Sequence, residues 1–407
     1  MSVFAGLLVL LGWTLQAGSD PVAGLAEWLK QPVEKRGKLE EQSFASIGLT
    51  KEQATKARQL LIEDDIQQVR RTRAEEWKNR AITLGKLTMK FDVKVFGAKP
   101  ATGRSLFISM HGGGNTATRI NDQQWENQKR LYQPAEGVYI APRAPNDAWD
   151  MWFQPHMDGF FIQLIADAVA FEDVDVNRVY LMGYSAGGDG VFRLAPRLAD
   201  RWAAAAMMAG HPGDVRADNL RNLPFTLHMG ENDKAYDRNK HAVEWKKLLA
   251  DLHEQDKEGY VHEVVIQPGM EHWMKKKDAV AVPWMAQFTR NTAPRKVIWY
   301  QPKQKQFYWL AEAVTAAGND QKATARLAAS LDKQTIQITG EQVSQVTLRL
   351  RDDLIDLDQP IKVMVNGKAV FEGKIKRTLN TINKTLSERH DAGLIYDAEV
   401  TIKESEA

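Results

Sequence analysis

The run Val179-Tyr-Leu-Met-Gly183-Tyr184-Ser185-Ala186-Gly187-Gly188 constrains this chain more than any other stretch. An apolar segment ends in Gly-x-Ser-x-Gly and a helix-compatible segment follows, which predicts strand, sharp turn, helix. Such a turn pushes the Ser185 hydroxyl out at the top of a sheet. Small residues at 183 and 187 let the backbone close around it. The pentapeptide alone arises by chance. Its meaning depends on whether the chain also supplies a base, an acid and an anion-binding loop, and in what order.

The segments around it alternate between strand and helix. Leu87, Met89, Phe91, Val93 and Val95 alternate with polar residues, as in a half-exposed strand. Ser105 to Met110 reads as a buried strand running into His111-Gly-Gly-Gly114, and Gly137 to Ala141 as another. A helix is predicted over 159–171, then the Ser185 strand, a helix over 186–200 and a strand over 202–209. Strands over 224–229 and 261–266 and helices over 238–252 and 278–290 follow. This order implies a mainly parallel sheet covered on both faces.

Before it, Thr50-Lys-Glu-Gln53 fits a capping box, and a charged helix with an apolar stripe from Ala54 to Trp77 should run to about Arg80. The segment from Pro21 to Phe44 has no clean period. Arg70, Arg71 and Arg73 lie on a face of alternating charge, which a solvated helix explains without nucleic acid. After Asn291-Thr-Ala-Pro294 short strand-like runs dominate. Asn366-Gly367 between two apolar runs is a hairpin signal. A closing strand is expected over 394–402, and 310–330 fits strand or helix. The expected divisions are a signal segment at 1–19, a helical extension at 20–85, a catalytic α/β domain at 86–292 and a small antiparallel β-sandwich at 295–407. No fixed-period repeat is present.

With 407 residues, two domains are expected. A net charge of +2 gives no argument for nucleic acid or a membrane surface. The absence of cysteine removes disulfides, thiol catalysis and thiolate metal sites. Val3 to Leu15 is almost wholly apolar and small residues follow at 17–19, which resembles a signal peptide and implies export. It is too short for a comfortable membrane span, and no Lys or Arg precedes it. A buried N-terminal helix is the alternative.

A serine hydroxyl needs a base to take its proton during attack, and an imidazole held by a carboxylate does this at neutral pH. Leu227-His-Met-Gly230-Glu231-Asn232-Asp233 follows one strand, and Gly269-Met-Glu-His272 the next. The order Ser, acid, His assigns Ser185 as nucleophile, Asp233 as acid and His272 as base. Glu231 and Asp237 are alternative acids within reach of the same loop. The oxyanion of the intermediate needs donors already in place. Ala186 N–H is one, and the His111-Gly-Gly-Gly114 loop supplies another, Gly113 first and Gly112 next. His111 is expected to brace that loop. Trp149, Trp152, His156 and His211 are candidate substrate-binding residues, although core packing explains tryptophans as well. Asn115, Asn121, Arg143, Asp147 and Asp189 are polar candidates nearby. No metal-ligand spacing is present and no cofactor is implied.

These residues resemble the secreted esterase branch of the α/β-hydrolases, which includes polyhydroxybutyrate-depolymerase-like, feruloyl-esterase-like and dienelactone-hydrolase-like enzymes. The matching pieces are Leu106 to Gly114, Asp175 to Gly188, Gly230-Glu-Asn-Asp233 and Gly269-Met-Glu-His272-Trp. The likeness covers about residues 86–290 and implies hydrolysis of an ester, from a small molecule or a polymer, through an acyl-enzyme. The C-terminal region falls outside it and would cap the site, bind a polymer or complete the fold. A prolyl-oligopeptidase-type peptidase shares the order Ser, Asp, His, but the 85 residues before the sheet are too few for a propeller. A non-catalytic binding protein on a hydrolase scaffold would show a broken triad or loop, and here neither is broken.

Overall fold

The computed structural model describes residues 20–300, 304–315, 326–340 and 343–403. The signal-peptide reading of 1–19 lies outside them. The first α-helices among the described residues are α1 (Pro21–Lys30) and α2 (Lys51–Asn79). Asp20 caps α1 and Pro21 starts it, so the lead-in is more ordered than its aperiodic pattern implied. Thr50 and Gln53 form the expected reciprocal cap of α2.

The sheet comprises β1 (Ala81–Leu84), β2 (Leu87–Phe96), β3 (Arg104–Met110), β4 (Gly137–Arg143), β5 (Val174–Tyr184), β6 (Ala204–Met208), β7 (Phe225–Gly230) and β8 (His262–Gln267). It thus begins a few residues earlier than 86, with a tight hairpin at Gly85. Helices α3 (Thr118–Gln128), α4 (Met157–Glu172), α5 (Ala186–Arg197) and α6 (Arg238–Gln255) fall between the strands, and α7 (Ala281–Met285) follows β8. The strand order is β1-β2-β4-β3-β5-β6-β7-β8. The β1–β2 and β2–β4 pairs are antiparallel and all later pairs parallel. With the strand–turn–helix at Ser185, this is the α/β-hydrolase fold. The chain goes from β3 outward to β4 and returns to β5 on the other side. Loops leaving the C-terminal ends of β3 and β5 therefore part over a crevice at the switch point.

The helix expected over 278–290 is cut to five residues in α7. The chain leaves it so that Arg290 N–H reaches Asn177 O at 2.9 Å and the Arg290 side chain turns inward. α3 falls in a polar segment where the sequence predicts no helix.

The C-terminal region contains β9 (Lys296–Tyr300), β10 (Gln306–Phe307), β11 (Leu310–Thr315), β12 (Arg326–Asp332), β13 (Thr335–Gly340), β14 (Val343–Leu350), β15 (Ile361–Val365), β16 (Lys368–Gly373), α8 (Leu379–Arg389) and β17 (Ala398–Lys403). It forms a four-stranded sheet, β10-β11-β14-β17, and a five-stranded sheet, β16-β15-β13-β12-β9. Trp299 of one stacks on Phe307 of the other at 5.8 Å. Two features depart from the antiparallel sandwich expected: β13 and β15 run parallel, and α8 is inserted before the last strand. Within 310–330, the described parts are strands. The Asn366-Gly367 hairpin joins β15 to β16 with positive φ at both turn residues, as its sequence requires.

α2 ties the pieces together. Its Ala54, Ala57 and Leu61 share a buried cluster with Leu379, Ile382 and Leu386 of α8. Arg58 pairs with Asp397. Arg70 donates to Ala170 O at 2.6 Å and Arg73 pairs with Asp167 of α4, which gives these arginines structural partners. Among the described residues no helix is long and apolar enough to cross a membrane.

His228 in β7 yields a test of core electrostatics. It is fully buried, its Nε2 lies 2.9 Å from Thr226 Oγ1, and burial lowers its pKa from 6.5 to about 4. The folded chain therefore keeps it neutral where the unfolded chain would protonate it. Its contribution to stability is complete above the unfolded value and shrinks as pH falls towards the folded one. Between pH 6.5 and pH 4 the wild type should lose about 3 kcal/mol more than His228→Gln, at ~1.36 kcal/mol per pH unit. Urea unfolding across that range reads the difference, and parallel curves would refute it.

Candidate active site

Ser185 sits between β5 and α5 with φ 58° and ψ −120°, a conformation that costs a non-glycine residue energy. The surroundings hold it there. Ser185 N–H donates to Met208 O at 2.9 Å, and Asp189 N–H donates to Ser185 O at 2.9 Å. A β-carbon on Gly183 would lie 2.3 Å from Gly187 O, and one on Gly187 would lie 2.2 Å from Met110 O. Both positions thus require glycine for close backbone approach.

Two loops bring partners to the serine. The β7 loop delivers Asp233, whose side chain is 1% exposed, and the β8 loop delivers His272, whose side chain is 42% exposed. His272 Nε2 lies 3.0 Å from Ser185 Oγ, and His272 Nδ1 lies 2.6 Å from Asp233 Oδ2. The loops are fastened together: Asn232 N–H donates to Met270 O at 2.7 Å and Gly269 N–H to Glu231 Oε2 at 2.7 Å. Asp237 instead pairs with Lys240 at 2.7 Å. Of the three carboxylates considered from sequence, the one at His272 is therefore Asp233. Tyr184 braces the histidine loop, donating from its hydroxyl to His272 O at 2.6 Å and accepting from Met274 N–H at 2.9 Å.

The glycine loop after β3 passes beside the serine. A β-carbon on Gly112 would lie 3.1 Å from Ser185 Cβ. Gly113 has φ 105°, and a β-carbon there would lie 2.2 Å from Asn121 Oδ1. That oxygen accepts Gly114 N–H at 2.8 Å. His111 is fully buried, and burial lowers its pKa from 6.5 to about 3. Ala144 N–H donates to its Nε2 at 3.2 Å, so the ring is neutral with the proton on Nδ1, which donates to Gly112 O at 2.6 Å. Trp152 Nε1–H donates to His111 O at 2.8 Å. These contacts fix the His111 and Gly112 carbonyls of the loop beside the serine.

A cavity of about 640 Å³ opens on Ser185 and His272, walled by Gly112, Gly113, α3, Tyr184, Trp273 and Lys276. Trp149, Trp152, His156 and His211 are not among the described residues that line it. Trp152 is 1% exposed and belongs to the core, where its indole holds the glycine loop. His156 stands at the start of α4 against Phe160, and His211 lies against His241. Trp149 is 63% exposed and its ring meets Phe153, outside the cavity. Arg143 and Asp147 pair at 2.5 Å and staple the neighbouring loop, and Asp189 Oδ1 accepts His211 N–H at 2.6 Å. Much of the remaining wall comes from residues the sequence does not single out: Ile120, Gln124, Asn127 and Gln128 of α3, then Arg130 and Leu131. Only Ile120 and Leu131 among them are apolar, so no apolar period marks the helix in the sequence. No residue of the C-terminal region lines the cavity among those described, so no capping contact is seen. Also among the described residues, no group of three or more His, Asp or Glu side chains is placed to hold a metal ion.

No protein-family model and no curated protein matches the chain. Among solved structures it is similar to a thermostable esterase, with 18% identity, a TM-score of 0.39 and coverage of 52% of this chain and 62% of that one. It is also similar to the poly(3-hydroxybutyrate) depolymerase LpqC from Bordetella parapertussis, with 16% identity, a TM-score of 0.38 and coverage of 50% and 86%. A feruloyl esterase module from Clostridium thermocellum gives 14% identity, a TM-score of 0.37 and coverage of 51% and 86%. The fold stands on this chain's own strand order and on the turn at Ser185.

Proposed function

We propose that this protein is a serine hydrolase that cleaves carboxylic esters through an acyl-enzyme. One observation carries the reading: Asp233, His272 and Ser185 form an unbroken hydrogen-bonded chain ending on a strained serine at the cavity floor. As Ser185 Oγ attacks the ester carbonyl, His272 Nε2 takes its proton. Asp233, buried behind the ring, keeps the Nδ1 proton in place and stabilises the imidazolium that forms. The tetrahedral oxyanion is received by the amides of Ala186 and Gly113, with Gly112 adjacent. Collapse expels the alcohol, which takes the proton back from His272. Water then attacks the acyl-serine with His272 again as base, releasing the acid and free Ser185.

The two-step course sets the test. Rapid mixing with p-nitrophenyl acetate should release about one equivalent of p-nitrophenol per chain in a burst before the steady state. Ser185→Ala should show no burst. A wild-type burst unchanged in the variant would overturn the reading.

A further inference from the structure

The charges around the cavity are one-sided. Two cationic residues line it, Arg130 and Lys276, and no Asp or Glu is among the described residues that do. Most carboxylates close by are engaged elsewhere, and the exposed Glu271 lies outside the cavity lining. Glu126 pairs with Lys129 at 2.6 Å and Asp122 with Arg143 at 2.9 Å. Asp278 is buried and bonded to Tyr132, and Asp233 is buried behind His272. α3 lines the cavity with Gln124, Asn127 and Gln128 at helical spacing, the buried Gln128 amide donating to Ser109 Oγ at 2.7 Å, while its acids are absent from that wall. Gln124 reaches the reaction end, since a β-carbon on Gly112 would lie 3.7 Å from its Oε1.

Among the described residues neither cation makes an ion pair, although the charge of Lys276 acts on the buried Asp278. Arg130 spends its Nε–H on Glu126 O at 3.1 Å, and its terminal nitrogens have no hydrogen-bond partner among the described residues. Lys276 has no side-chain hydrogen bond or ion pair among them. Its backbone, like that of Lys275, is left-handed, with φ of 63° and 52°, which a lysine adopts only when its loop is held. Two unpaired cations facing one concave wall raise the local concentration of anions. A planar guanidinium with free terminal N–H groups matches a carboxylate.

We infer that the cavity takes esters carrying a second, anionic group, and that Arg130 and Lys276 receive that anion while the ester lies on Ser185. This rests on the esterase reading for the chemistry and on the cavity alone for the binding. Ester specificity is then a matter of charge: an anionic group gains contact with two exposed cations that a neutral acyl or alcohol group leaves to water.

The test uses matched pairs on the full chain at low salt. Mono-p-nitrophenyl glutarate is set against p-nitrophenyl butyrate, placing the anion on the acyl side. 4-Acetoxybenzoate is set against its methyl ester, placing it on the alcohol side. In one pair or the other, kcat/KM for the anionic ester should exceed that of its neutral partner about tenfold, and added salt should shrink the ratio. The double variant Arg130→Gln/Lys276→Gln should bring the ratio close to one. Calorimetric titration with glutarate and 4-hydroxybenzoate reads binding without turnover, and the double variant should weaken it about tenfold. Neutral esters preferred in both pairs, or ratios and binding unmoved by the double variant, would overturn the inference. Binding that depends on the two cations with no turnover of any ester would sustain it and refute the esterase reading.

Discussion

Ser185→Ala should lower kcat for ester hydrolysis by roughly 10⁴- to 10⁶-fold while leaving the fold intact. His272→Ala should cost about as much. Each tenfold step is ~1.4 kcal/mol, so the losses amount to about 6–8 kcal/mol of barrier. The geometry explains why two side chains of such different chemistry should weigh alike. The serine is reached by the imidazole at 3.0 Å, and attack without proton removal is a poor reaction. For the same reason the double variant should be no slower than either single one, because the groups act as a unit. Asp237→Asn should matter little, since that carboxylate pairs with Lys240 at the surface. Initial rates with p-nitrophenyl acetate, beside circular dichroism to verify folding, check the set. A loss under a hundredfold for Ser185→Ala, or losses that multiply in the double variant, would refute the assignment.

Asp391→Ala should destabilise the protein by about 3–5 kcal/mol, the usual cost of stripping one partner from a buried ion pair. Asp391 is fully buried, and the Arg290 guanidinium grips it through two 2.7 Å hydrogen bonds. Arg201 adds a third contact at 3.2 Å. Burial opposes the charge on Asp391, but Arg290, Arg201 and Arg389 outweigh it and hold the carboxyl far below the usual carboxylate range. Arg389 in turn pairs with the buried Asp200 at 2.8 Å. Removing Asp391 leaves three buried arginines facing one carboxylate. The cluster joins the end of the hydrolase sheet to the segment after α8, so the loss should also loosen the C-terminal region. Urea unfolding followed by tryptophan fluorescence reads the change. The exposed pair Lys247–Asp251 is the control, where Asp251→Ala should cost no more than about 1 kcal/mol. An equally small effect at Asp391 would contradict this account.

Most of the scaffold was legible because local signals and tertiary demands agree. The capping box at Thr50 and Gln53, the alternation in β2 and the glycines at 183 and 187 each state a backbone requirement in the residues themselves. Strand–loop order in the sequence places Ser185, Asp233 and His272 after three strands of one parallel sheet. The cavity wall was not legible, for a physical reason. α3 buries Asn121 and Gln128 rather than apolar residues, and its N-cap residue Ala117 makes no side-chain cap. A helix that turns polar groups to a cavity lacks the apolar stripe by which helices are found. α8 carries Asn380, Thr381, Asn383, Thr385 and Ser387, residue types of low helix propensity, although Leu379, Ile382 and Leu386 mark its buried face. The tryptophans misled because size and polarity suit a binding wall and a core equally. Trp152 serves the site from behind, by holding His111 O.

The most direct measurement is intact mass after treatment with a fluorophosphonate, on the wild type and on Ser185→Ala. Only a serine whose proton is removed during attack reacts readily with such a reagent. The account predicts one adduct on the wild type and none on the variant. A folded wild type that stays unlabelled, or a variant labelled as fully as the wild type, would contradict it.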